Sequence, residues 1–251
     1  MKKIIVKIGT GVLTRESDGQ LDDASLVKLV TAIADISSKG YQVILVSSGA
    51  VGAGISGLGL KEYPLDVPTR QACAAVGQTR LMHAYENLFR NFGISVAQLL
   101  LTADDLNDTA RSGRVRDTLK KLSEIGNIVP IINENDSVAV EEISVGDNDM
   151  LSARVAILLE VDMLVLMSTI DGLISPETDE IVKEIVDVDT VLNFARGDRG
   201  KFSIGGMATK LQAVKLSVDA GIETVIMNGS RPERLADVVA GGGLCSRFLI
   251  K

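Results

Sequence analysis

The sequence predicts an α/β protein in which a mainly parallel β-sheet is covered by helices on both faces. Short β-branched runs alternate along the 251 residues with stretches whose apolar residues recur at helical spacing. Aromatic residues make up only 3% of the chain and tryptophan is absent, so the 46% apolar fraction must build its core from Val, Ile, Leu and Ala. Strands buried on both faces favour that composition. Glycines, amides or acids follow several of these runs, at the strand ends where an open parallel sheet meets its ligands.

In chain order, the expected strands are 4–8, 43–46, 95–99, 128–132, 163–167 and 224–227. Between the first two, Leu26, Leu29, Val30 and Ile33 follow Asp22 and Asp23 and precede Gly40, which is a helix with its start and stop signals. A long helix is expected over 70–92, closing near Gly93, and shorter ones over 117–125 and 150–160. A last helix over 207–219 closes at Gly221. Residues 138–145, with Glu141 and Glu142 at the centre, suggest a small hairpin, and 175–179 a polar turn. With no repeat or linker, one domain is expected over 1–251. Residues 153–162 then mark the passage from an N-terminal lobe of about 1–155 to a C-terminal lobe of about 156–251, both sharing one sheet.

The net charge of −7, from 26 basic and 33 acidic residues, comes without a basic run, so neither nucleic acid nor a membrane surface is an expected partner. No stretch reaches the roughly 18 apolar residues of a membrane span. The apolar run at the start is broken at once by Lys7 and Gly9, which reads as a strand rather than a signal peptide. Cys73 and Cys245 sit in apolar or small-residue settings and read as buried reduced thiols, which suits a cytoplasmic protein. His83 is the only histidine, which excludes a histidine-rich metal site, and it reads as structural.

Four segments carry residues in excess of what folding needs. In Lys7-Ile8-Gly9-Thr10-Gly11 a lysine inside an apolar strand must snorkel to its end or be paired, while the glycines admit a bulky anion close to the backbone. Ser47-Ser48-Gly49-Ala50 leads into Gly52, Gly54 and Gly57, formally G-x-G-x-x-G. It lies after the second strand, however, and lacks its first glycine in the turn, contrary to a dinucleotide site. A small-residue loop opening a helix binds carboxylate or phosphate through free backbone amides. Asn133-Glu134-Asn135-Asp136 and Asp147-Asn148-Asp149 exceed turn and cap chemistry, and suggest a polar pocket that recognises an amino group and orients a lysine. Finally, Gly205-Gly206-Met207-Ala208-Thr209-Lys210 opens a helix with a lysine in its first turn, which is unfavourable unless an anion is near. Two lysines opposed by an acid meet the demands of phosphoryl transfer.

On these segments, with Val6 before Lys7, Ile131-Ile132 before Asn133 and Val145-Gly146 before Asp147, essentially the whole chain resembles the amino-acid kinase family. Asn-Glu-Asn-Asp followed by Gly-Asp-Asn-Asp points to its glutamate branch. The resemblance implies a three-layer αβα sandwich with glutamate on the N-terminal lobe and nucleotide on the C-terminal lobe. It implies transfer of the ATP γ-phosphoryl group to the side-chain carboxylate of L-glutamate, giving L-glutamyl 5-phosphate, the first step of proline biosynthesis. Lys7 and Lys210 would stabilise the transferring group and Asp149 would hold both. Ser48, Gly49, Asp136 and Asn148 would bind glutamate, with Asn133 and Asp147 close by. Lys7, Gly9, Ser168, Thr169, Ile204, Gly205, Gly206, Met207, Ala208, Thr209 and Lys210 would line the ATP site, with Mg²⁺ bridging the phosphates rather than held in a protein metal site.

A homodimer or tetramer and feedback inhibition by proline are further implications. Two departures accompany them: Ser168-Thr169-Ile170-Asp171-Gly172-Leu173-Ile174 stands where many relatives have Thr-Asp-x-x-Gly-Leu-Tyr, and the sequence stops at Lys251 without the small RNA-modification-type (PUA) domain that many append. Kinases of the same family acting on acetylglutamate, aspartate, carbamate or a nucleoside monophosphate are the nearest rivals. A non-catalytic sensor is a more distant one, because it would have no need of Lys7, Asp149 and Lys210.

Overall fold

The computed structural model describes residues 2–15, 17–139, 148–195 and 206–250. In chain order the elements are β1 (Lys3–Ile8), α1 (Thr10–Leu13), α2 (Asp23–Ser38), β2 (Gln42–Ser47), α3 (Ala50–Gly57), α4 (Val67–Arg90), β3 (Ser95–Leu101), α5 (Ala103–Asn107) and α6 (Thr109–Ile125). They continue with β4 (Ile128–Glu134), α7 (Asn148–Leu159), β5 (Met163–Ser168), β6 (Glu184–Ile185), a 3₁₀ segment (Val188–Ala195), α8 (Met207–Asp219), β7 (Glu223–Asn228), a 3₁₀ turn (Pro232–Arg234), α9 (Leu235–Val239) and β8 (Ser246–Phe248).

Every expected strand forms, each slightly longer than its β-branched run; β3, β4 and β5 start, and β1 ends, where expected. Helix α2 begins where the Asp22 carboxylate accepts from the Ala24 amide, and it buries Leu26, Leu29, Val30 and Ile33. Asp66 caps α4 in the same way and Pro68 occupies its first turn, so this helix starts before residue 70. Helix α6 starts at Thr109 rather than 117, behind an Asp108 cap. Only Leu119 of α6 is fully buried, so its first turns carry no apolar rhythm to read. The polar turn at 175–179 is closed by a bridge between Ile174 and Ile181. All but the first two residues of the expected hairpin over 138–145 lie outside the described residues.

The strands form one sheet in the order β3-β4-β2-β1-β5-β7-β8-β6, parallel throughout except for the β7–β8 pair. Side chains alternate across it. Ile4, Val6 and Ile8 of β1 join the apolar layer under α2, α4 and α9, whereas Ile5 joins the layer under α6, α7 and α8. Lys7 therefore points toward the second layer, where its ammonium needs a counter-charge. Strand β1 is also where the winding reverses, with β2 on one side and β5 on the other. The carboxyl ends around it border the crevice in which sheets of this kind take ligands.

The three glycines of the formal dinucleotide pattern all lie within α3. A Cβ on Gly54 would come 1.9 Å from the Cys73 carbonyl oxygen, and one on Gly77 of α4 would come 1.8 Å from that of Ala50. Their missing side chains let α3 and α4 cross almost backbone to backbone. Cys73 and Cys245 are free, buried thiols, and His83 lies on the exposed side of α4. Among the described residues, no helix is long and apolar enough to cross a membrane.

Candidate active site

Asp149, in the first turn of α7, is wholly buried and receives two lysines. Lys7 Nζ lies 2.5 Å from its Oδ1, and Lys210 Nζ, from the first turn of α8, lies 3.1 Å from its Oδ2. Burial opposes ionisation of this carboxyl, but the two ammonium groups outweigh it and hold the carboxyl below the usual carboxylate range. The trio carries one net positive charge at the carboxyl end of β1, which suits an incoming polyanion. Gly9 keeps that place open, since a Cβ there would lie 3.6 Å from Lys7 Nζ.

Besides the single-turn α1, two helices begin beside this charge without a side-chain cap of their own. Helix α3 starts at Gly49 (φ 101°) and α8 at Gly206, and neither has a side-chain cap or an acid in its first turn. By contrast α2, α4 and α6 are capped by Asp22, Asp66 and Asp108. Uncapped first-turn amides and the positive end of the helix dipole favour an anion. In α8 the Thr209 hydroxyl donates back to the Gly206 carbonyl at 2.9 Å, and the Met207 side chain is buried in the core, so Met207 and Ala208 offer the crevice their backbone.

A set of amides borders the crevice beside β2 and β4. Asn148 Nδ2 has Ser48 Oγ at 2.8 Å, Asn133 Oδ1 at 3.0 Å and the Ser47 carbonyl at 3.3 Å as acceptors, two of which share one of its two hydrogens. Asn133 Nδ2 donates to Gln78 Oε1 at 2.9 Å, and Gln78 Nε2 to Gln98 Oε1 at 3.0 Å. Beneath the Ser48-Gly49 turn, the Ser47 hydroxyl donates to the Ser48 carbonyl at 3.0 Å, so the Tyr85 hydroxyl, 2.8 Å away, donates to Ser47. Three residues beyond Asn133, burial pushes the Asp136 carboxyl up to about 6, and the positive charge of Arg70 only partly offsets this. Arg70 and Asp136 also act on Tyr63, whose phenol is raised chiefly by burial.

On the other side of β1, Ser168 ends β5 and Thr169 follows it. The Ser168 carbonyl accepts from the Gly229 amide at 2.7 Å, and Thr169 Cγ2 lies 3.2 Å from where a Gly11 Cβ would be. Just beyond, Asp171 pairs with Arg234 at 3.0 Å.

The structure thus brings Lys7, Asp149 and Lys210 into contact and joins Ser48, Asn133 and Asn148 by hydrogen bonds. It sets Asp136 past the end of β4, and Ser168 and Thr169 at the end of β5. Asp147, Ile204 and Gly205 lie outside the described residues. Sequence reasoning missed Gln78, Gln98, Arg70 and Tyr63. Gln78 did leave a signal: on α4 the buried residues are Cys73, Ala74, Gly77, Gln78, Leu81, Tyr85 and Phe89, and an amide in such a stripe needs polar partners.

Residues 2–228 match the amino acid kinase family. The glutamate 5-kinase of Clostridium tetani is 44% identical over 99% of this chain and 94% of its own length. That of Clostridium acetobutylicum is 44% identical over 95% and 91%, and that of Citrobacter koseri is 43% identical over 98% and 68%. Among solved structures, a carbamate kinase from Giardia lamblia bound to AMP-PNP superposes with a TM-score of 0.69 at 17% identity, covering 100% of this chain and 99% of the other. The UMP kinase of Ureaplasma parvum superposes with 0.65 at 16%, covering 99% and 100%. At such identities the two structures speak for the fold alone.

Proposed function

The chain belongs to the amino acid kinase family, and on that premise we propose that it transfers the γ-phosphoryl group of ATP to the side-chain carboxylate of L-glutamate. The observation that carries this reading is the Lys7–Asp149–Lys210 trio beside an amide-lined acceptor end, in a chain 44% identical to proteins named glutamate 5-kinase.

A γ-carboxylate oxygen attacks the γ-phosphorus in line and forms the new O–P bond. The bond from phosphorus to the β,γ-bridging oxygen breaks, and ADP leaves with the electron pair. No proton moves, so the protein's work is positioning and charge neutralisation. The chief obstacle is repulsion between carboxylate and triphosphate. Lys7 and Lys210 face it from β1 and α8, and Asp149 keeps the two ammonium groups at a fixed spacing. The amides at Gly206, Met207, Ala208 and Thr209 cradle phosphate oxygens, Gly9 leaves them room, and Ser168 and Thr169 border the nucleotide. At the acceptor end Ser48, Gly49, Asn148 and Asp136 hold the α-substituents, with Asn133 behind Asn148. Asp147, Ile204 and Gly205 keep the parts expected of them on sequence likeness. The N-terminal lobe thereby serves glutamate and the C-terminal lobe ATP.

Mg²⁺ fits this arrangement as a phosphate-borne ion. Both oxygens of Asp149 are engaged by lysines, and no cluster of three or more potential metal-ligating side chains occurs among the described residues. In kinase sites Mg²⁺ keeps several waters and binds through substrate phosphates with one or two carboxylates, and here it would neutralise charge on the leaving group. By the same reading the protein serves proline biosynthesis in the cytoplasm, proline competes at the acceptor end, and the chain assembles with copies of itself.

The test is ATP-dependent acyl phosphate, trapped as the hydroxamate, with L-glutamate, L-aspartate and N-acetyl-L-glutamate. Product from glutamate alone is expected. Product from N-acetylglutamate instead would overturn the acceptor assignment, and product from none of the three would overturn the glutamate kinase reading.

A further inference from the structure

Each buried side-chain amide has a donor end and an acceptor end, and two backbone groups decide which way this set runs. The Ser47 carbonyl can only accept, so the group 3.3 Å from it must be the Asn148 NH₂. The Glu134 amide can only donate, so the group 2.9 Å from it must be Asn133 Oδ1. Asn133 therefore takes its bond from Asn148 through oxygen and passes its own NH₂ to Gln78. Gln78 in turn donates to Gln98, whose side chain is at the exposed edge strand β3. Donation runs one way, from the crevice outward: Asn148, Asn133, Gln78, Gln98. At the origin, Asn148 Oδ1 is buried and has no hydrogen-bond partner among the described residues. A buried carbonyl oxygen in that position calls for a donor from the ligand.

We propose that Gln78 is a positioning residue that, through Asn133, keeps the Asn148 carbonyl turned to the crevice, so that the acceptor end selects for an N–H donor on the α-carbon. This rests on the glutamate reading above. Gln78 touches neither the substrate nor the reacting atoms. Its Oε1 satisfies the Asn133 NH₂. Without that acceptor, the Asn133 amide regains a partner only by rotating, which withdraws Oδ1 from Asn148.

The experiment pairs Gln78→Met with Gln78→Glu. Methionine matches the length and removes the acceptor. Glutamate keeps an acceptor for Asn133, and exposed Gln98 turns its NH₂ toward it. The readouts are KM and kcat for L-glutamate and the inhibition constant of glutarate, which keeps both carboxylates and lacks the ammonium. Gln78→Met should raise the glutamate KM about tenfold, the size of one lost hydrogen bond to a charged group, with kcat and the glutarate constant unchanged. Gln78→Glu should stay close to wild type. An unchanged KM in Gln78→Met, an equal weakening of glutarate, or Gln78→Glu behaving like Gln78→Met would each overturn the proposal. Should neither variant fold, Gln98→Met at the exposed end decides: a KM raised about threefold for glutamate with glutarate unmoved supports the proposal, and no change overturns it. Calorimetric binding of L-glutamate separates the two readings. Wild-type protein that binds glutamate but forms no acyl phosphate sinks the reaction and leaves Gln78 testable by Kd. Protein that does not bind glutamate sinks both.

Discussion

Asp149 accepts lysines from strand β1 and from helix α8, at opposite ends of the sequence. Asp149→Asn removes the one negative charge between two buried ammonium groups. Breaking a buried pair in this way costs about 3–5 kcal/mol, so the melting temperature should drop. With the lysines repelling, kcat should fall about 100-fold or more while the glutamate KM changes little. A raised KM with preserved kcat would reassign Asp149 to acceptor binding. Asp136 gives a pH signature. Its folded carboxyl titrates near 6, above the roughly 3.9 of an unfolded aspartate. A raised folded value means that the group's contribution to stability is fully present below about 4 and is lost as pH rises through about 6. The ionised form is the one that holds an ammonium, so the glutamate KM should fall as pH climbs through 6, with Arg70 and Tyr63 the charged and titratable neighbours. Asp136→Asn should flatten that profile, raise KM throughout and be more stable than wild type above pH 6. A wild-type KM flat across pH 5–7 would refute the role. The charged trio was legible because each member broke a local rule: a lysine in an apolar strand, an acid beyond capping needs, a lysine at the wrong end of a helix. Arg70 breaks no such rule, and Gln78 breaks only the weaker one of an amide in an apolar stripe; their partners arrive from β3, β4 and the loop beyond β4.

Helices α3 and α4 show why a glycine pattern alone is ambiguous. Close approach to a phosphate and close approach to another backbone require the same missing Cβ, and Gly52, Gly54 and Gly57 satisfy the spacing of the former while lying in a helix built for the latter. Gly77→Ala would place its methyl 1.8 Å from the Ala50 carbonyl. The helices must part, at a cost of about 3 kcal/mol. Because Ala50 follows Gly49, the expected result is a lower melting temperature together with a higher glutamate KM and little effect on the ATP KM. Loss of stability with unchanged glutamate KM would show that the crossing does not set the Ser48-Gly49 turn. Long elements with an apolar rhythm were readable. The early turns of α6 were not, because they are exposed, and β6, α9 and β8 are too short to show a period.

Over the whole molecule, strand alternation made the parallel sheet predictable, whereas the order of strands and the antiparallel β8 emerge only from packing. The charge distribution has a global consequence as well. Chelating Mg²⁺ should abolish acyl phosphate formation yet leave the melting temperature of the nucleotide-free protein unchanged. That follows if the ion travels with the nucleotide, since bound ions raise apparent stability only where the folded chain holds them. A chelator that lowers the melting temperature would reveal an ion held by the protein itself.

The place of β1 in the sheet bears on how the chain is made. Its amino-terminal end is tied to residues 159 positions later, where the Lys3 amide meets Asp162. A ribosome delivers β2 early and β5 only after more than half of the chain has emerged. For that interval one long side of β1 is an unpaired, apolar edge of the kind that recruits foreign strands. Lys7 sits on it. A lysine on an open strand is one of the features that disfavour edge-to-edge pairing, and Asp149, its partner in the folded protein, lies 142 positions later in the sequence.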